Sequence, residues 1–345
     1  MKLVSSIFLL VIAQLPLQTF AADGFTECLQ QQMLISNDSV TIGELKALCN
    51  GITANNELSG NEQNLSESIA FIPTEDNEIE SAIDNRLKME RIGEKSTFSL
   101  IPHKPNYIIL SNNLASPNER PFNTAFPNRD VHLQPWETKF QISVKVPLVR
   151  DIFAGNGDLY AAYTGRFFWQ QFNKESSSPF RETNHEPELW LSFKNNSELW
   201  GFRNSIIRTG IVHQSNGQAG SLSRSWNRIF ADFIVEKGNA YFSFKPWIRL
   251  SEDSDNDDNP DIDEYLGNFE LSGVYKKGKH SFSLMTRNNL DFSDNHGAFE
   301  LGWTFPISHN INGYVQWFNG YGESMIDYNS HSNSIGFGIK LSDWL

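Results

Sequence analysis

The chain has 345 residues, enough for one large β domain or two ordinary domains. Its formal net charge is -13, and this excludes nucleic acid as the main partner, because neutralising phosphates needs a basic surface. Aromatic residues reach 13%, which suits a bilayer interface as well as an aromatic-rich soluble β protein, so the order of elements has to separate the two.

The chain opens Met1-Lys2-Leu3, runs apolar from Val4 to Leu17 and continues Thr19-Phe20-Ala21-Ala22-Asp23. A positive start, an apolar centre and small residues before the cut describe a secretory signal over residues 1–21. Cleavage is expected after Ala21, with Ala22 as the alternative. Gln14, Pro16 and Gln18 interrupt the segment and argue against a membrane-anchoring helix. Beyond it, no run approaches the roughly 20 apolar residues of a spanning helix. Membrane residence would therefore require a barrel.

Residues 22–100 read as a polar extension, expected in the periplasm. Cys28 and Cys49 are the only cysteines. An exported chain with two cysteines usually joins them; two unpaired thiols are the alternative. Residues 51–85 are rich in Asn, Glu, Ser and Asp and read as a linker. Short helices are expected around residues 41–48 and 79–92.

From residue 101 to 345 the pattern changes to period two. In residues 139–149, Phe140, Ile142, Val144, Val146 and Leu148 take one face and Lys139, Gln141, Ser143 and Lys145 the other. Strands are expected near 106–112, 138–149, 158–171, 186–193, 198–215, 225–237, 240–250, 264–276, 279–290, 297–306, 311–323 and 333–343. Connectors alternate between short ones (194–197, 237–239, 276–279, 308–310) and long ones (112–137, 172–185, 216–224, 251–263). Even strand number with short turns at one end and long loops at the other is the asymmetry of an outer-membrane barrel. The fold expected is all-β: a twelve-stranded antiparallel transmembrane β-barrel.

Chemistry concentrates in His213-Gln214-Ser215-Asn216-Gly217 and Ser223-Arg224-Ser225-Trp226-Asn227-Arg228. His213 and Ser215 are two apart on one strand and share a face. Asn227 begins the next strand, in phase with Ile229, Ala231, Phe233 and Val235. The three side chains would then project from the apolar, lipid-facing wall. A base, a hydroxyl and an orienting carboxamide are the parts of a nucleophilic hydrolase: Ser215 would attack an ester, His213 would carry the proton and Asn227 would fix the tautomer. The run from Asp253 to Asp261 is dense in hard oxygen ligands that suit Ca²⁺. It is not an EF-hand, since Asp258 stands where that loop needs Gly.

These motifs, with Ser177-Ser178-Pro179-Phe180-Arg181-Glu182-Thr183-Asn184, Lys245-Pro246-Trp247, Asp257-Asp258-Asn259-Pro260-Asp261-Ile262 and the run from Gly320 to Asn329, closely resemble the outer membrane phospholipase A family over residues 80–345. The resemblance implies calcium-dependent hydrolysis of acyl esters of phospholipids and lysophospholipids in a Gram-negative outer membrane, at its outer leaflet, by a homodimer. It places the triad on His213, Ser215 and Asn227. It places Ca²⁺ on Ser177, Gln218 and Ser223, with Ser177 reaching the partner chain's site, and on Asp258 for a further site. The family commonly carries Arg at the Gln218 position, which a backbone carbonyl ligand tolerates. Gly165 stands where the family can carry a Gln at the dimer contact. The alternative reading is a non-enzymatic barrel, a porin or adhesin that retains the fold.

Overall fold

The computed structural model describes residues 81–94, 100–253, 257–308 and 311–343. The expected signal segment, the helix expected at residues 41–48, and Cys28 and Cys49 lie outside the described residues. Contacts divide the chain into residues 1–77 and 78–345, and every described residue belongs to the second unit.

Twelve long strands form one closed antiparallel barrel: β1 (Asn106–Asn113), β2 (Trp136–Val149), β3 (Asp158–Trp169), β4 (Phe180–Leu199), β5 (Phe202–Ser215), β6 (Ser225–Lys237), β7 (Ala240–Leu250), β8 (Phe269–Lys277), β9 (His280–Asn288), β10 (Gly297–Pro306), β11 (Asn312–Tyr321) and β12 (His331–Ser342). Each pairs with its chain neighbours, and β12 pairs with β1 to close the ring. A two-residue stub, Ile101–Pro102, lies along β2. Closure leaves no open edge for lipid to meet. The period-two pattern is inverted relative to a soluble protein. Lys139, Gln141, Ser143, Lys145, Glu188, Arg228 and Gln316 are buried inside, while Ile142, Ile211, Ile229, Leu284 and Phe337 are exposed on the outer wall. Inside, Lys139 Nζ donates to Gln316 Oε1 at 2.7 Å and pairs with Glu323 at 3.2 Å, and Arg181 bridges Glu137 and Asp327 at 2.9 and 2.6 Å. Buried charges are thus paired, as their desolvation cost requires.

Two expected boundaries move. The strand expected at 186–193 runs from Phe180 to Leu199, and the turn expected at 194–197 lies instead at Trp200-Gly201. Both residues there have positive φ, 54° and 76°, the primed two-residue turn whose twist matches a hairpin. Asn195 and Asn196, which read as turn residues, form a bulge where the register slips between Lys194 and Ser197. Likewise, residues 264–268 are not strand. A helical turn, Ile262–Leu266, precedes β8, with Ile262 and Leu266 four apart and both buried in a cluster with Trp226 and Trp247.

Before the barrel comes helix α1 (Ala82–Glu94), in place of the helix expected at 79–92. Ser81 caps it: its Oγ accepts the Asp84 amide at 3.1 Å. Ile83 packs against Ile206, Ile234 and Tyr241, the inward residues at the short-turn end. Glu90 pairs with Lys145 at 2.8 Å and with Arg86, and Arg203 pairs with Asp84 and Glu236. The helix is therefore lodged inside that mouth. Burial alone would raise the Glu90 carboxyl, but the charges of Lys145 and Arg86 hold it below the ordinary carboxylate range. A carboxylate so depressed stabilises the fold above that range, and the contribution is lost as pH falls through the folded value. Glu90→Gln, which strands a buried lysine, is expected to cost about 3 kcal/mol at neutral pH. Urea unfolding of the detergent-solubilised protein should show the difference at pH 7 and a shrinking one in strong acid.

Candidate active site

The site begins inside the barrel. Trp226, fully buried, donates from Nε1 to Gln214 Oε1 at 2.9 Å, and the Arg228 guanidinium lies 3.9 Å over the Trp226 ring. Those inward residues lock β5 to β6, so the alternate residues His213, Ser215 and Asn227 are fixed on the outward face. In the register His213 sits directly opposite Asn227, and Ser215 opposite Ser225. His213 Nδ1 and Asn227 Oδ1 are 2.9 Å apart.

The direction of that bond follows from a residue the sequence did not point to. Asn227 Nδ2 donates to Glu252 Oε1 at 3.0 Å. The Glu252 oxygen accepts from the amide nitrogen, so the amide oxygen faces His213. His213 Nδ1 then carries the proton, and Nε2 keeps the lone pair a base needs. Glu252 lies 25 residues from Asn227, in the loop after β7; only the barrel brings them together. Among the described residues no hydrogen bond joins Ser215 Oγ to His213, so the structure pairs His213 with Asn227 and places Ser215 on the same wall.

Above the strand ends, loop 216–224 is closed by Asn216. Its buried side chain donates to the Leu222 carbonyl at 2.8 Å and accepts from the amides of Gln218 and Arg224 at 3.2 and 3.0 Å. Gly217 has φ +64°, the left-handed region that favours glycine.

The residues expected to bind metal separate into two places. Ser223 Oγ donates to Asp258 Oδ2 at 2.6 Å, so a loop after β7 meets the loop after β5. Their hydroxyl and carboxylate oxygens are the donor type that Ca²⁺ takes. Arg224 occupies the Ser223 carbonyl at 2.5 Å. Gln218 lies on the same loop as Ser223. Ser177, with φ +62°, sits in the connection between β3 and β4, and among the described residues no hydrogen bond joins it to Gln218, Ser223 or Asp258. Two other carboxylates of the acidic run are spent structurally: Asp257 pairs with Arg249 at 2.6 Å and Asp261 accepts from the Tyr328 hydroxyl at 2.5 Å. No group of three or more His, Cys, Asp or Glu able to hold a metal occurs among the described residues. At Gly165, the outward space is roofed by Phe167: a side-chain Cβ there would meet its ring at 2.8 Å.

Known proteins share this chain's sequence and fold. A family model described as Phospholipase A1 matches residues 83–341. The chain is 37% identical over 248 residues to Phospholipase A1 of Escherichia coli, covering 71% of this chain and 82% of that protein. It is 37% identical over 253 residues to the Putative phospholipase A1 of Neisseria meningitidis serogroup B, covering 70% and 65%. Among solved structures, the outer membrane phospholipase A from Escherichia coli has a TM-score of 0.67 at 36% identity, covering 72% of this chain and 100% of that one. The Salmonella typhi outer membrane phospholipase, a dimer with bound calcium, has a TM-score of 0.68 at 34% identity, covering 74% and 97%.

Proposed function

The chain belongs to the phospholipase A1 family, and from that premise we propose that it is a calcium-dependent serine hydrolase acting as a dimer, with Ser215 as nucleophile, His213 as base and Asn227 as its orienting group. At the coarser level it is a phospholipid-hydrolysing enzyme built on an outer-membrane barrel. Phospholipids and lysophospholipids are the substrates proposed, at either acyl position.

The observation that carries the reading is the contact between His213 and Asn227, whose direction Glu252 sets. Ser215 Oγ attacks the ester carbonyl carbon while His213 Nε2 takes its proton. The carbonyl electron pair moves onto oxygen. As that pair returns, the C–O bond to the glycerol breaks and His213 gives the proton to the leaving alkoxide. Water, deprotonated by the same imidazole, then frees the fatty acid from Ser215. Asn227 stays neutral throughout: it holds the ring without stabilising the imidazolium by charge. The Gly217 N–H is the backbone donor proposed for the oxyanion.

Ca²⁺, when bound, would supply positive charge near the developing oxyanion. Ser223 and Asp258 are proposed as its holders with Gln218, which would serve through its backbone carbonyl, and with Ser177 contributed by the partner chain. A porin or adhesin would have no use for three such groups on its lipid-facing wall.

Fatty-acid release from detergent-dispersed phospholipid tests the triad. His213→Ala is expected to lower turnover by roughly 10⁴-fold or more, because the base is lost. Asn227→Ala should cost less, about 10- to 100-fold, since a wandering imidazole still meets the proton occasionally. An Asn227→Ala enzyme as fast as wild type would reduce the triad to a dyad.

A further inference from the structure

The outer wall around Ser215 holds one more polar pair that the scheme above leaves unused. His185 of β4 lies directly opposite Ser215 in the register, on the side away from Asn227, and opposite Gly165 of β3 on its other flank. Facing residues on one side of an antiparallel pair have Cβ atoms about 4.5–5.5 Å apart. The imidazole is therefore an immediate neighbour of the proposed nucleophile. Its Nδ1 is 2.6 Å from the hydroxyl of Tyr163, which also faces outward. Its Nε2 lies 3.5 Å from where a side-chain Cβ on Gly217 would stand.

An imidazole and a phenol on a lipid-facing wall carry a desolvation cost that their mutual hydrogen bond only partly offsets. With the Tyr163 hydroxyl donating to Nδ1, the remaining N–H sits on Nε2, which reaches toward Gly217. Depth identifies what it meets. Ser215 is the last residue of β5, and the loop carrying Gln218 and Ser223 rises above it toward the polar surface. A phospholipid that lies with its acyl chains along the barrel wall has its headgroup at the level of that loop and its ester at the level of Ser215. His185 is level with Ser215, so it meets the ester.

We propose that His185 donates a hydrogen bond from Nε2 to the carbonyl oxygen of the ester attacked by Ser215, with Tyr163 as the positioning residue that fixes its tautomer. The inference rests on the reading of Ser215 as nucleophile. When Ser215 Oγ bonds to the carbonyl carbon and its proton passes to His213, the carbonyl pair collects on oxygen. His185 stabilises that oxygen without giving up its proton, beside the Gly217 N–H. The two imidazoles thus flank the serine with opposite tasks, one accepting a proton and one only donating a hydrogen bond.

Purified full-length protein is assayed for phospholipid hydrolysis as wild type, His185→Phe, His185→Gln, Tyr163→Phe and Ser215→Ala. His185→Phe is expected to lower kcat by about 10²-fold, the order seen when one oxyanion donor is removed, with KM changed by less than about twofold. His185→Gln keeps an N–H donor and should recover part of that loss. Tyr163→Phe should lower kcat by a smaller factor. A wild-type kcat in His185→Phe, or equal losses in Phe and Gln variants carried by KM, would overturn the proposal, the latter because it marks a packing role. If His185→Phe does not fold, Tyr163→Phe decides: an unchanged kcat overturns the tyrosine-held donor. Ser215→Ala separates the two levels. Activity surviving there refutes the nucleophile itself, whereas an inactive Ser215→Ala beside a fully active His185→Phe refutes the donor alone.

Discussion

Ser215→Ala is expected to lower the rate of fatty-acid release by at least ~10⁴-fold, because no other hydroxyl can form the acyl intermediate in register with His213. Ser225 is the nearest competitor. It faces Ser215 across the β5–β6 pair, but it precedes the residue that orients the base by two places and has no imidazole beside it on its own strand. Stability should be almost untouched. The lost oxygen is on the outer wall at a strand end, and the lock between the strands is made by Gln214, Trp226 and Arg228 on the other face. The measurement is hydrolysis by purified variant and wild type at matched amounts of folded barrel, judged by heat-dependent gel mobility. Comparable rates would end the serine hydrolase reading.

Removing calcium is expected to abolish both activity and dimer together. Ser177 lies in the β3–β4 connection and makes no hydrogen bond to the Ser223–Asp258 pair of its own chain among the described residues. If the neighbouring chain supplies it, the ion joins two protomers, and metal binding and dimerisation must strengthen each other by the same factor. Chelation should then lower turnover by about 10²-fold or more, since positive charge near the oxyanion is lost with the partner's groups. Ser223→Ala, and a bulky change at Ser177, should raise the calcium concentration needed for cross-linking and hydrolysis in parallel. The sequence set Asp258 apart as a further site, but its carboxylate accepts the Ser223 hydroxyl, so Asp258→Ala is expected to act with Ser223→Ala. Cross-linking in detergent across a calcium titration, with hydrolysis followed alongside, is the test. A fully active metal-free monomer would refute the coupling and leave the triad standing.

Period two is a local property, and what depended on it was readable in the chain. The strands and the common face of His213, Ser215 and Asn227 follow from counting by twos, and the barrel with its polar lumen from the alternation of short and long connectors. Contacts made across strands or between loops are set by register and closure, which no local pattern encodes. Glu252 and His185 are lateral neighbours of the site of this kind: one lies 25 residues from Asn227 and the other 30 positions before Ser215. Ser223 and Asp258 meet because two loops at one end of a closed ring have nowhere else to go. The misread elements have local causes too. Asn195-Asn196 carries the composition of a turn yet is spent as a bulge, while Trp200, a bulky residue at positive φ, makes the turn with Gly201. Ile262 and Leu266 have helical spacing, but the run between them is too short for a period to declare itself.

The outward face of the proposed triad has a kinetic consequence. With its proposed catalytic groups on the barrel's outer wall rather than in its lumen, the enzyme would meet its substrate by lateral diffusion, in two dimensions. The concentration that governs its rate is then the mole fraction of accessible phospholipid around the barrel, not the quantity per volume of water. Diluting lipid with inert amphiphile at constant total phospholipid starves such a catalyst, while adding more of the same film leaves its saturation unchanged. Both products can depart sideways, so a barrel packed with charge and stopped by a helix at one mouth can still turn over without ever opening.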